Sequence, residues 1–131
     1  MAVLRILIVD DEKAVRTALV RLLGTCAEWM VVGEAADGAE AIGKAKELNP
    51  DVVIMDITMP EMSGLEATAE IKKAIPTAEI LMFTQYDSAQ MVLEAQNAGA
   101  SGYLLKSQAN WLVAAVEAMG LHKPFFQGKN L

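Results

Sequence analysis

Short aliphatic runs alternate along the chain with amphipathic stretches long enough to be helices. The runs read as strands at residues 3–9, 29–35, 51–56, 79–83 and 102–105, and the stretches as helices at 13–23, 39–48, 65–74, 89–98 and 109–119. Several runs are almost continuously apolar, as strands covered on both faces must be. Five strand–helix pairs in succession imply a parallel sheet with helices on its faces. The punctuation agrees. Gly24 and Asn49-Pro50 stand where helices should stop, while Asp37 and Ser88 stand where N-caps should begin them. Residues 59–64, Met-Pro-Glu-Met-Ser-Gly, break both periodicities and read as a loop. Leu112, Ala115, Val116 and Met119 recur at i, i+3, i+4 and i+7, which gives the last helix one apolar stripe. After residue 120 the character changes: His122-Lys123-Pro124 breaks the helix, Phe125 and Phe126 follow, and Gln127-Gly128-Lys129-Asn130 is polar. Residues 1–120 thus form one domain, and 121–131 read as a linker or C-terminal tail.

The polar residues that end these runs carry the candidate chemistry. Asp10 and Asp11 follow the first strand, Asp56 the third, Thr84 the fourth and Lys106 the fifth. Singly, each has an ordinary explanation: Asp11 an N-cap, Asp10 a loop acid, Thr84 a β-branched strand residue, Lys106 a surface lysine. Jointly they fall on one edge, because the carboxyl ends of parallel strands share the side of the sheet where ligands bind. Three carboxylates, a hydroxyl and an ammonium there can hold a divalent cation and a transferred phosphoryl group. Mg²⁺ is the expected ion, since it prefers oxygen ligands and relieves the repulsion of crowded acids.

Composition narrows the classes. At 131 residues the chain suits a single domain with a sizeable core. Lys plus Arg number 11 against 17 Asp plus Glu, a net charge of −6 that argues against this segment gripping nucleic acid by itself. The apolar run before Asp10 is too short for a signal peptide or a membrane span, and a single cysteine, Cys26, suits a reduced compartment. A cytoplasmic location and no membrane partner are the expectation. Cys26 reads as a small buried or half-buried apolar side chain and His122 as a solvated residue, with no other His or Cys placed to join it in a metal site. Residues 38–45 nearly match a phosphate-binding loop, but Ala45 lacks the hydroxyl such a loop needs, and Asp37 and Glu40 would face the phosphates.

With the two acids after strand one, DITMPEMSG around Asp56, FTQYDS around Thr84 and GASGYLLKS around Lys106, residues 3–120 resemble a response-regulator receiver domain. The AGASGYLLKS stretch and the HKPFF tail are most similar to receivers of the NarL/FixJ type, which carry a helix-turn-helix output domain after such a linker. The resemblance implies a flavodoxin-like (βα)₅ doubly wound sheet of five strands in the order 2-1-3-4-5. It implies that Asp56 is the phosphoacceptor for a histidine kinase. Asp11, the Asp56 carboxylate and the Thr58 backbone carbonyl would bind Mg²⁺, with Asp10 acting through water. Lys106 would pair with the phosphoryl group, Thr84 would swing to donate to it, and Tyr103 is the aromatic whose rotamer reports that movement. Thr58 and Tyr86 match positions that tune phosphate lifetime. Gln85 departs from the family, which usually has a small residue there. Such a domain catalyses only its own phosphorylation and dephosphorylation, and it signals through the fourth helix, fifth strand and fifth helix. A phosphorylation-dependent homodimer and DNA contact only through an output domain are the further expectations. The competing readings are a stand-alone receiver acting by protein–protein contact, a pseudo-receiver that only binds partners, and an aspartyl-phosphate phosphatase, which would need an acid where Thr58 stands.

Overall fold

A computed structural model describes residues 3–127. Its elements run β1 (Leu4–Val9), α1 (Lys13–Leu23), β2 (Trp29–Ala35), α2 (Gly38–Leu48), β3 (Val52–Met55), α3 (Gly64–Ala74), β4 (Glu79–Thr84), α4 (Ala89–Ala98), β5 (Gly102–Leu105), a 3-10 segment (Lys106–Trp111), α5 (Leu112–Gly120) and β6 (Phe125–Gln127). The strands form one parallel sheet in the order β2-β1-β3-β4-β5-β6. This is the expected flavodoxin-like winding with one strand more than expected.

Both faces of the sheet are covered, which is why the central strands show no polar alternation. Leu7, Val9, Val53, Met55, Ile80 and Met82 belong to one core with Ala41 and Ala45 of α2, Ala67 and Ile71 of α3, and Val92 and Ala95 of α4. Ile6, Ile8, Val52, Ile54, Leu81 and Phe83 belong to the other, with Leu19 and Leu23 of α1 and the whole stripe Leu112, Ala115, Val116 and Met119 of α5. Successive strand residues therefore enter opposite cores. Of the expected caps, Asp37 accepts the backbone N–H of Glu40 and Ser88 that of Met91. Asn49 ends α2 in the left-handed region at φ 50°, and Gly24 ends α1 with an ordinary right-handed φ of −66°.

Two expectations need correction. The tail does not run as a plain linker, because Phe125–Gln127 pairs with β5 in the register Gly102↔Phe125, Tyr103↔Phe126 and Leu104↔Gln127. Phe125 packs against the α1/α5 core and Phe126 against the other, so the pair is held as a strand of alternating faces. Two aromatics in a polar tail are too few to show that alternation beforehand. Residues 128–131 of the same tail lie outside the described residues. The last helix also starts later than residue 109. The chain first makes the 3-10 segment, broken by the non-helical Gln108 at φ −116°, ψ 35°, and no side chain caps α5. Among the described residues no helix is long and apolar enough to cross a membrane.

Candidate functional site

The carboxyl edge of the sheet brings the acids together. β1 delivers Asp10, whose backbone N–H donates to Ala35 O at 3.0 Å, and β3 delivers Asp56, whose N–H donates to Val9 O at 3.0 Å. The sheet ladder thus carries on one residue beyond both strands and pins both acids. Asp10 and Asp56 are only 2% and 6% exposed, and one carboxylate oxygen from each of Asp10, Asp11 and Asp56 lies within 4.8 Å of the others. Lys106 reaches into the cluster, with its ammonium 2.8 Å from Asp10 Oδ2 and 3.4 Å from Asp56 Oδ2.

The three acids are not equivalent. Asp10 is engaged on both oxygens, since Oδ1 accepts the Glu12 N–H at 2.9 Å and Oδ2 meets Lys106. The N-cap position of α1 belongs to Glu12, with no side-chain cap. The capping explanation for Asp11 therefore fails, and its exposed carboxylate accepts no hydrogen bond from the described residues. Burial, then the negative charge of Asp10, pushes Asp56 up from 3.8 to about 6, with Lys106 opposing and Asp11 adding a little. Burial also works against the charge on Lys106, but hydrogen bonding to Asp10 and the charges of Asp56 and Asp10 outweigh it, so its pKa is raised. The site thus sets one ammonium among three carboxyl groups. Three hard oxygen donors, one of them unengaged, fit a small divalent cation.

Asp11, Glu12, Asp56, Thr58, Gln85 and Lys106 line a cleft of about 120 Å³ over this cluster. Gln85 is exposed at its mouth, as its position after β4 suggests. Thr84 is fully buried and outside that lining, and its hydroxyl accepts the Tyr86 N–H at 3.3 Å. Tyr103 is 1% exposed and donates its hydroxyl to Tyr86 O at 2.6 Å; burial, then Asp87, pushes its pKa up to about 12. Thr58 Oγ1 donates to the Tyr86 hydroxyl at 2.9 Å. Tyr86 is thus a junction between Thr58, Thr84 and Tyr103, which its sequence position alone does not reveal. Gly64 is a second residue whose part emerges only here. A Cβ at that position would lie 2.0 Å from the Asp56 carbonyl oxygen, so the first turn of α3 packs directly on the Asp56 backbone.

The phosphate-loop reading of residues 38–45 does not survive. Helix α2 begins at Gly38, and the Asp37 carboxylate already occupies its N-terminus by accepting the Glu40 N–H at 2.8 Å. A second acid two residues beyond Asp56 is missing too, since Thr58 stands there.

The response-regulator receiver model matches residues 6–117, and the chain belongs to that family. Its similarities run to regulators of the LuxR family, in keeping with the NarL/FixJ type. The response regulator protein VraR of Staphylococcus aureus is 43% identical over 104 residues, 79% of this chain and 50% of that protein. This chain therefore spans about half the length of the curated relatives it matches. The crystal structure of a two-component response regulator of the LuxR family from Aurantimonas sp. SI85-9A1 superposes with a TM-score of 0.91 at 40% identity, covering 95% of this chain and 89% of that one. A DNA-binding response regulator of the LuxR family from Staphylococcus aureus gives a TM-score of 0.83 at 28% identity, covering 90% and 99%.

Proposed function

We propose that this domain is a phosphorylation-activated switch of a two-component system, with Asp56 the acceptor of a phosphoryl group from a histidine kinase. The observation that carries the reading is the Lys106 ammonium set between the buried Asp10 and Asp56, with the exposed Asp11 completing a cluster of three carboxylates. An Asp56 oxygen forms the new P–O bond as the donor's P–N bond breaks, and the departing imidazole nitrogen takes a proton from water. Lys106 offsets charge on the transferring oxygens. Asp11, Asp56 and the Thr58 backbone carbonyl would hold Mg²⁺, with Asp10, both of whose oxygens are engaged, acting through water. When bound, Mg²⁺ lowers the repulsion among the acids and the incoming phosphoryl group. Acetyl phosphate with Mg²⁺ should add one phosphoryl group to the purified chain, read by intact mass and mapped to Asp56. Labelling that persists at full level in Asp56→Asn would overturn the assignment.

Switching follows from what Thr84 must release. Its hydroxyl now satisfies the Tyr86 N–H, and turning to the phosphorylated Asp56 gives up that bond at the junction with Tyr103. A phosphoryl group adds about −1.5 to −2 charge, for which Thr84 and Lys106 are the available partners. The signalling face is α4, β5 and α5, extended by β6, whose Phe126 stands in register with Tyr103. A phosphorylation-dependent homodimer, a DNA-binding output domain beyond this segment and a cytoplasmic location complete the reading. A stand-alone receiver differs only in having no output domain after residue 131. Thr84→Ala should take up label at a near-normal rate yet lose the phosphorylation-induced change at Tyr103, followed by side-chain NMR. An intact change in that variant would reject the coupling.

A further inference from the structure

Arg16 has no part in the chemistry above, yet its guanidinium reaches the turn that carries two of the three acids. It sits in the second turn of α1, and helical side chains lean toward the helix N-terminus. That direction takes it back over the β1–α1 connection. There its Nη1 donates to the Asp10 backbone carbonyl at 2.7 Å, while Nε donates to Glu34 Oε1 at 3.1 Å. The arginine side chain is 15% exposed and the glutamate 43%. Lys44 donates in turn to the Glu34 backbone carbonyl, so the end of β2 that receives the arginine is itself tied to α2.

The carbonyl that Arg16 grips belongs to the peptide joining Asp10 to Asp11. That peptide is planar, so fixing its oxygen fixes the plane containing the Asp11 nitrogen and Cα. The neighbouring bonds, from Asp10 N–H to Ala35 O and from Glu12 N–H to Asp10 Oδ1, hold the flanking backbone but leave the Asp10 carbonyl to Arg16. Asp11 has no side-chain partner of its own among the described residues, so its direction rests on this backbone plane.

We propose that Arg16 is a positioning residue for the divalent-cation site, acting through the Asp10–Asp11 peptide with Glu34 as its brace. The proposal rests on the functional reading above. A planar fork with donors in fixed directions can hold both acceptors together, whereas a lysine ammonium carries the charge without that geometry. Charge alone predicts the opposite sign. Removing a cation near three carboxylates should tighten Mg²⁺ binding, while loosening the peptide that aims Asp11 should weaken it.

The test is Mg²⁺ titration of the whole chain by calorimetry and by the amide NMR signals of Asp11 and Asp56, with melting in chelator alongside. Arg16→Ala should raise the Mg²⁺ dissociation constant about tenfold, the lower end of what outer ligand supports contribute, and Arg16→Lys should recover less than half of that loss. Glu34→Ala should weaken binding in the same direction by less, and adding it to Arg16→Ala should cost nothing further, since the two act as one unit. Thr17→Ala, on the exposed face of the same helix, is the control. Should Arg16→Ala fail to fold, Arg16→Lys carries the test, since it keeps the charge and should still weaken binding. Binding unchanged or tightened in both variants, full recovery by Arg16→Lys, or additive losses would overturn the proposal. No Mg²⁺ binding by the wild type would overturn the functional reading instead.

Discussion

Asp56→Asn will make the metal-free protein more stable. The carboxylate is buried beside Asp10, and its pKa of about 6 against the ordinary 3.8 means that ionising it in the folded chain costs roughly 2–3 kcal/mol at neutral pH. The amide keeps the shape and removes the charge. For a domain of this size that is an increase of about 5–10 °C in melting temperature in chelator. The pH dependence has a definite sign. A raised folded pKa means that wild-type stability is fullest below the unfolded value and falls as pH rises through the folded one. The gap between Asp56→Asn and wild type should therefore open between about pH 4 and 6 and stay level above. Scanning calorimetry of both proteins in chelator across that range is the measurement. A less stable Asp56→Asn at pH 7 would show that Lys106 already balances the Asp56 carboxylate.

Gly64→Ala will do the reverse, and by more. The added Cβ would sit 2.0 Å from the Asp56 carbonyl oxygen and 3.0 Å from Ile57 Cα, both backbone atoms that no rotamer change can clear. The Gly64 N–H also donates to Ile57 O at 2.8 Å, so α3 cannot retreat without breaking that bond. The loss should be about 3 kcal/mol or more, roughly 10 °C or more in melting temperature. Because the displaced backbone carries Asp56, the proposed acceptor, acetyl phosphate labelling should fall as well. Gly43→Ala makes the contrast. It lies within α2, where an added methyl would meet nothing within 4 Å, so it should stabilise by about 0.5–1 kcal/mol. Thermal melts of the two variants beside wild type decide the matter, and a neutral Gly64→Ala would mean that the α3 turn yields.

Much of this protein is legible along the chain because its determinants are local or periodic. Continuous apolar runs declare strands covered on both faces. The 3.6-residue stripe of Leu112, Ala115, Val116 and Met119 is entirely buried, and Asp37 and Ser88 cap the helices they precede. The convergence of Asp10, Asp11, Asp56 and Lys106 follows from the same logic, since parallel strands must place their carboxyl ends on one edge.

What the tertiary structure alone decided are matters of contact between distant segments. Phe125 and Phe126 become a strand because β5 offers an unpaired edge and each sheet face a place for one ring. Asp10 rather than Asp11 takes the local backbone bond, which leaves Asp11 open, and Lys106, just past the end of β5, holds Asp10 in place. Tyr86 becomes a junction, Gly64 a point of closest approach and Arg16 a clasp only once α1, α3 and the β4–α4 loop have packed. Periodicity tells each residue which face it occupies, but the partner across that face is set by packing, and it is the partners that turn a row of acids into a site.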